Sequence, residues 1–397
     1  MTMAAAIDAR TADAPARSTA GRIVRTDLLF DLVAAEPIWR RFEAAQPIAT
    51  AYQRVDFLTP WQREVGACDD AEPCIAVARD GEHRPLVLLP LARRRKHGIR
   101  TLSFMGGKHT TFNMPLWDRD FVAEAADLDA LVSGLRAHDA ADVLALTQQP
   151  RHWQGLSNPM AMLPHQDSVN ACPVLTLTPE TPPISNSFRK RLRAKERKLQ
   201  ALPGYRYHLA ASETDIGRLL DWFFRVKPLR MKEQKLPNVF ADHGVEQFVR
   251  AACMTQLAGG NRVIDIHALE CDEEVIALFA GVADGHRFSM MFNTYTMSEQ
   301  SRHSPGLILM RNIIDHYAAR GYRALDLGIG SDDYKRMFCR DDEPIFDSYI
   351  ALSARGRLAA AAMSSLAHAK HLVKQNQRLL RLAQGLRAAL HRGDGRP

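Results

Sequence analysis

The chain has 397 residues, enough for two or three domains and a sizeable buried core. With 46% hydrophobic and 24% charged residues it has the proportions of an ordinary globular protein, which excludes a collagenous chain, a disordered chain and a disulfide miniprotein. The formal charge of +7 is unevenly placed: residues 354–397 hold nine Lys or Arg against Asp394 alone, and the run Arg189 to Lys198 holds seven bases against Glu196, so the rest of the chain is acidic and a globally basic nucleic-acid surface is not expected.

The opening 24 residues contain Asp8 and Asp13 and no apolar run of secretory length, which predicts a disordered leader on a cytoplasmic protein. A first α/β unit is expected over 25–180. Helices fall near Ile38 to Ala45 and Trp61 to Ala67, and strands at Cys74 to Ala78, Leu86 to Leu91 and Ile99 to Met105. The Gly-rich loop Gly106 to Thr111, a helix from Phe121 to His138 and a strand from Asp142 to Thr147 follow. The Pro-rich stretch Pro179 to Pro183 ends the unit.

The basic run continues as a helix in which Phe188, Leu192 and Leu199 form a narrow apolar stripe. No aromatic residues interleave its bases as a nucleic-acid stacking platform requires, so a solvated helix between units is favoured over an RNA or phosphate contact. A second unit over 184–353 reads, in order, as strand Tyr205 to Ala210, helices Glu213 to Lys227 and Val245 to Leu257, and an antiparallel meander of Arg262 to Glu270, Val275 to Ala283 and Arg287 to Tyr295. Helix Pro305 to Arg320, strand Arg323 to Leu327, a short helix near Asp333 to Phe338 and strand Ile345 to Leu352 complete it. Residues 354–397 form a basic amphipathic helical tail, with Leu379, Leu382, Leu386 and Leu390 on one face; it suits the protein body, a second subunit or an anionic membrane surface.

The six cysteines form no CxxC pair, and neither a P-loop, a dinucleotide fingerprint, a nucleophile elbow nor an HExxH zinc motif occurs, so no metal is expected and hydrolase readings have little support. The most informative segment is Ser304-Pro305-Gly306, where Ser304 reads as an N-cap, Pro305 as the first helical residue and Gly306 as an open backbone. A helix start fed by a strand end is a ready anion site.

With the order of elements added, the second unit resembles the GNAT acyltransferase fold. More narrowly, residues 26–353 resemble the CelD/BcsL group (BioF2-like acetyltransferase domain), relatives of the FemAB aminoacyl ligases. The segments carrying this are SFRKRLRAKERKLQALPGY, NTYTMSEQSRHSPGLILMRNIIDHYAARGYRALDLGIG and SDDYKRMF, with LVLLPLARRRKHG and SFMGG in the first half. The resemblance implies a mixed α/β fold (α+β mixed sheet) of two tandem GNAT-like units, the second complete, and acetyl-CoA or another acyl-CoA as donor.

It places the pyrophosphate at Arg302, His303, Ser304, Gly306 and Leu307, and the pantetheine along the strand ending at Thr294 and Tyr295. Tyr334 is the implied general acid. Asp326 is a candidate for orienting the substrate amine, and Lys227, Arg230 and Lys335 for gripping an acceptor, with the Gly106 to Asn113 loop as the opposite wall. The chain lacks the usual GNAT Arg/Gln-x-x-Gly-x-Gly/Ala loop, which leaves the exact phosphate contacts and the acyl group open. The leading expectation is an acyl-CoA-dependent acyltransferase, chiefly an N-acetyltransferase, acting on a small acceptor related to the cell envelope or to polysaccharide biosynthesis. The alternatives are a FemAB-like aminoacyl-tRNA-dependent transferase, whose basic helix contacts tRNA, and a catalytically inactive polysaccharide-biosynthesis accessory protein.

Overall fold

In a computed structural model the structure describes residues 22–178, 184–330 and 332–375. The expected leader, the Pro-rich stretch and the leucine face of the tail lie almost wholly outside them.

The first half runs β1 (Arg25–Leu29), α1 (Leu32–Ala44), α2 (Val55–Trp61), β2 (Glu72–Arg79), β3 (Pro85–Lys96), β4 (Ile99–Phe104), β5 (Leu116–Trp117), α3 (Ala125–Ala137), β6 (Val143–Pro150), β7 (His152–Trp153), β8 (Leu156–Ser157), β9 (Gln166–Asp167) and β10 (Cys172–Thr176). The second runs α4 (Asn186–Leu199), β11 (Arg206–Leu209), α5 (Glu213–Glu233), α6 (Val245–Met254), β12 (Asp265–Glu270), β13 (Val275–Ala283), β14 (Arg287–Tyr295), α7 (Pro305–Ala319), β15 (Ala324–Asp326), α8 (Asp333–Arg336), β16 (Asp341–Glu343), β17 (Ile345–Ala351) and α9 (Ala354–Gln375).

Three of the helix ends that differ from the sequence reading have a local reason each. Helix α1 begins six residues early because the Asp31 carboxylate accepts the Val33 amide at 3.0 Å, and it tolerates Pro37 one turn in. Helix α3 begins only at Ala125 because Glu124 and Asp127 form a reciprocal capping box. Helix α5 runs through Pro228 to Glu233 rather than stopping at Lys227: the buried face of Ile216, Leu219, Leu220 and Phe223 anchors it, and proline forfeits only one backbone bond.

The strands form two mixed sheets that exchange members. The first has the order β1-β2-β3-β4-β6-β17-β9, with β5 beside β3; the second has the order β11-β12-β13-β14-β15-β10-β16. Strand β10, from before the linker, thus pairs antiparallel with β15, while β17, expected to close the second unit, pairs antiparallel with β6 of the first. Buried apolar runs such as Cys172 to Leu175 can complete any sheet with a free edge, so nothing local assigns them.

Each sheet also contains one internal parallel pair, and each parallel pair is short. Strand β4 meets β6 only over Thr101–Ser103 against Val143–Ala145, and β14 meets β15 only over Arg287–Ser289 against Ala324–Asp326. Beyond these contacts the strands splay, which opens a cleft in each sheet. Helix α5 packs on β13 and β14 of the second sheet with α6 beside it, and α7 packs on β12, β13 and β14, with α4 packed on α7. Helix α6 also packs against α2, where Phe57 meets Phe248 edge to face, which joins the two halves in one apolar core.

Candidate active site

The cleft of the second sheet is built by three local features of the chain. Strand β14 bulges at Met291, because Met290 pairs with Gly281 and Phe292 with Ala280, leaving one residue between them unopposed. Such an extra residue bends and twists a strand, and bulges recur beside active sites. Strand β15 ends at Asp326 and turns away through Gly328, which takes a positive φ of 72°. Helix α8 then returns Tyr334 and Lys335 to the opening.

The result is a cavity of about 450 Å³. Its polar lining includes Asn293, Tyr334, Lys335 and Lys227, and its apolar lining Phe240, Phe248 and Val249. The loop of the first unit at Lys108 to Thr111 also lines it.

Tyr334 is packed into this opening beside Asn293, and burial raises its hydroxyl above the ordinary phenol value, so that it holds its proton at neutral pH. Lys227 donates to the Asn293 carbonyl at 2.9 Å, and burial, helped by the Arg230 charge, lowers its ammonium to about 8. Arg230 is buried and stacks on the Tyr295 ring, its guanidinium carbon 3.5 Å from the ring centre. Lys335 is equally buried, but its ammonium bonds the Gly328 and Ile329 carbonyls at 3.1 Å each and lies 3.4 Å from Asp332. It fastens the loop after β15 and has little left for a ligand.

Asp326 does not line the cavity. It is fully buried beneath it, accepting from the Ser289 hydroxyl at 2.5 Å and the Gly328 amide at 3.1 Å. Burial raises its carboxyl to about 6 against the opposing pull of Arg287 and these two bonds. The geometry gives it the turn at Gly328 to hold.

Around the start of α7 the sequence expectation needs one correction. Ser304 does not cap the helix with its side chain; it sits in the left-handed region at φ 57° and ψ 53°, and its hydroxyl accepts from Lys195 of α4 at 2.7 Å. The reason is tertiary. Helix α4 lies antiparallel along α7, held by Arg189 to Asp315 and by the buried pair Arg311 to Glu196 at 2.7 Å, which delivers Lys195 to Ser304.

Burial and the charges of Arg302, Lys198 and Lys195 lower His303, which places four basic side chains around an uncapped helix start. Gly306 lies against Tyr295: a Cβ there would stand 3.5 Å from its ring, so alanine fits and a bulky side chain does not. Leu307 packs on the core beneath, and Thr294 is buried in register with Leu278, its hydroxyl without a hydrogen-bond partner among the described residues. The chain fold therefore gathers Lys227, Arg230, Thr294, Tyr295, Tyr334 and Lys335 along the splayed β14, and Arg302, His303, Ser304, Gly306 and Leu307 at the adjoining helix start.

Sequence reasoning did not single out Asn293 or Gln148, and it named His109 and Lys195 only as members of the Gly-rich loop and of the basic run. Trp61 donates to His109 Nδ1 at 3.1 Å, which leaves the proton of the neutral ring on Nε2, a buried atom without a partner. No motif marks these residues; they are brought in by the bulge, by α4 and by the first unit.

Residues 186–336 match the family model of the acetyltransferase (GNAT) domain. No curated protein matches the chain. Among solved structures it is similar to FemX, at 7% identity with TM-score 0.53 over 81% of this chain and 96% of that one. A conserved protein of unknown function from Bacteroides thetaiotaomicron is similar at 11% identity, with TM-score 0.53 over 81% and 98%. The C-terminal domain of a putative lysylphosphatidylglycerol synthetase from Agrobacterium fabrum is similar at 12% identity, with TM-score 0.49 over 82% and 96%. At these identities the likeness is one of fold. Among the described residues, no helix is long and apolar enough to cross a membrane. The chain carries a GNAT-type acetyltransferase domain in its second half and is an acyltransferase.

Proposed function

We propose that the chain transfers an acyl group, acetyl in the simplest case, from acyl-CoA to an amine of a small acceptor related to the cell envelope or to polysaccharide biosynthesis. The observation that carries this reading is the splayed β14 and β15 opening directly beside the uncapped start of α7. Lys195, Lys198, Arg302 and His303 cluster there, an arrangement that favours a polyphosphate through both helix dipole and side-chain charge. The unpaired edge of β14 beyond Ser289 suits the amide groups of a pantetheine arm.

In this reading the neutral acceptor amine attacks the thioester carbonyl, the carbon–sulfur bond breaks, and the departing thiolate takes the Tyr334 proton. The proton lost by the amine passes to solvent or to neutral Lys227, a fraction of which exists near pH 8. The resemblance to the CelD/BcsL group supports the acceptor class.

A second reading, an aminoacyl-tRNA donor, is favoured by the exposed face of α4, where Lys190, Arg191, Arg193, Arg197 and Lys198 all meet solvent.

Calorimetric titration with acetyl-CoA and desulfo-CoA tests the first reading. Micromolar binding, lost in Gly306→Trp, is the expected result. Tyr334→Phe should retain that binding and lose most turnover. Absence of binding to any acyl-CoA, with salt-sensitive binding to tRNA, would transfer the assignment to the second reading.

A further inference from the structure

The cleft of the first sheet is the counterpart of the one just described, and its chemistry is different. Strands β4 and β6 part after Ser103 and Ala145 as β14 and β15 part after Ser289 and Asp326. A separate cavity of about 340 Å³ lies at that split, lined by Phe104, Asn113, Gln148, Ser168, Asn170 and Asp347. Where β14 leads within ten residues to the start of α7, β4 leads into the short turn at Gly107–His109, and the next α-helix, α3, begins only at Ala125. The anion-holding half of a donor site is missing.

In its place stands a carboxylate. Asp347 is brought in by the exchanged strand β17, at a register shift between Phe346 and Ser348 where the strand passes β6. It is only 5% exposed, yet among the described residues it forms no ion pair. Its two hydrogen bonds, from the Gln148 amide at 2.9 Å and from the Ser168 hydroxyl, both fall on Oδ1. Among the described residues no hydrogen bond falls on Oδ2, and Asp347 lines the cavity; the charge that acts on it is that of His371 of α9, whose Nδ1 lies 2.9 Å from the Ser168 carbonyl oxygen. Lys108, the cation on the same wall, is paired with Asp242. Gln148 faces it in a left-handed conformation at φ 60°, which costs a non-glycine residue energy and is retained where surroundings impose it. A buried carboxylate with an open oxygen is costly unless a cation or donor completes it.

The two clefts are adjacent, because Lys108, Gln148 and Ile329 line both cavities. The two cavities therefore share a wall. We infer that the split of the first sheet binds the acceptor, and that the acceptor is a hydroxyl-rich molecule with more than one amine, the chemistry of a diamino sugar, with one ammonium paired to Asp347 and a second amine left neutral for the thioester. Amide and hydroxyl groups of Gln148, Ser168 and Asn170 offer the mixed donors and acceptors that sugar hydroxyls require. Polyanions are repelled by the same carboxylate, which keeps a second CoA out of the first unit. This inference rests on the reading of the second cleft as the donor site.

The test is binding of glucosamine and galactosamine to the full chain by calorimetry, with N-acetylglucosamine as the uncharged control and CoA titrated in parallel. Millimolar or tighter binding of at least one amino sugar is expected, at least tenfold weaker for N-acetylglucosamine. It should weaken at least tenfold in Asp347→Asn, and also in Val169→Trp, which fills the same cavity and leaves the carboxylate intact. CoA affinity should stay within twofold in both variants, which also shows that they fold. Failure of both amino sugars to bind, equal binding by Asp347→Asn, or equal binding of the uncharged sugar would overturn the inference. Amino-sugar binding without CoA binding would instead keep the binding site at Asp347 and remove the donor reading, and with it the role of acceptor.

Discussion

Removing Glu196 should unfasten α4 from α7 at a cost that the structure allows to be worked out. Arg311 is 5% exposed, its Nη2 lies 2.7 Å from the Glu196 carboxylate and also donates to Asn312 Oδ1 at 2.9 Å, and among the described residues its Nε and Nη1 have no hydrogen-bond partner, so this acid is the charge that compensates a buried guanidinium. Glu196 has further support, accepting from the Tyr205 hydroxyl at 3.0 Å and the Asn312 amide at 3.3 Å. Taking away one member of a buried pair typically costs about 3–5 kcal/mol, because the other charge is left stranded. Glu196→Leu should fall in that range. Arg311→Met should cost less, about 2–3 kcal/mol, since two donors still serve the carboxylate.

The double variant Glu196→Leu/Arg311→Met strands no charge and should lie within about 1 kcal/mol of the parent. Urea unfolding of the four proteins gives the cycle, with an expected coupling of at least about 2 kcal/mol. A loss below about 1 kcal/mol for Glu196→Leu, or a double variant no better than the worse single one, would refute the argument that this pair is a buried clamp.

Two further outcomes follow from single contacts. Gly244, before α6, has φ 76° and faces the Glu64 carbonyl so closely that a Cβ would stand 1.9 Å from its oxygen. Gly244→Ala should therefore lower the melting temperature by the equivalent of more than about 1 kcal/mol, and an unchanged melt would show that the backbone yields there. Asp142 is fully buried, and although burial pushes its carboxyl up, bonds from Arg355, the Arg100 amide and guanidinium, and Ser353 outweigh this and hold it well below the ordinary value. A depressed carboxylate contributes stability that is complete above its unfolded pKa of about 3.9 and is lost as pH falls through the folded one. Melting temperatures of the parent should accordingly drop faster below pH 4 than those of Asp142→Asn; parallel acid profiles would remove Asp142 from the acid response.

What the chain determined locally was legible. The tight turns at Cys271-Asp272-Glu273 and Asp284-Gly285 predict the antiparallel meander that β12, β13 and β14 form, because turn chemistry is carried by adjacent residues. The stripe of Phe188, Leu192 and Leu199 predicts the amphipathic α4 in the same way, and all three are buried. The Ser304-Pro305-Gly306 helix start was likewise found, though not the conformation of Ser304. That conformation depends on Lys195, which is 109 residues away in sequence.

The exchange of β10 and β17 between the sheets lay beyond sequence reading, since a buried strand advertises only that it is apolar and not which edge it will complete. The two clefts come from parallel strands that part after three residues, a property of strand twist and of the neighbours on either side. Asp347 reads in sequence as an unremarked acid within a final strand. Only the crossing of β17 into the first sheet sets it beside Gln148 and Ser168, whose hydrogen bonds both fall on one of its oxygens.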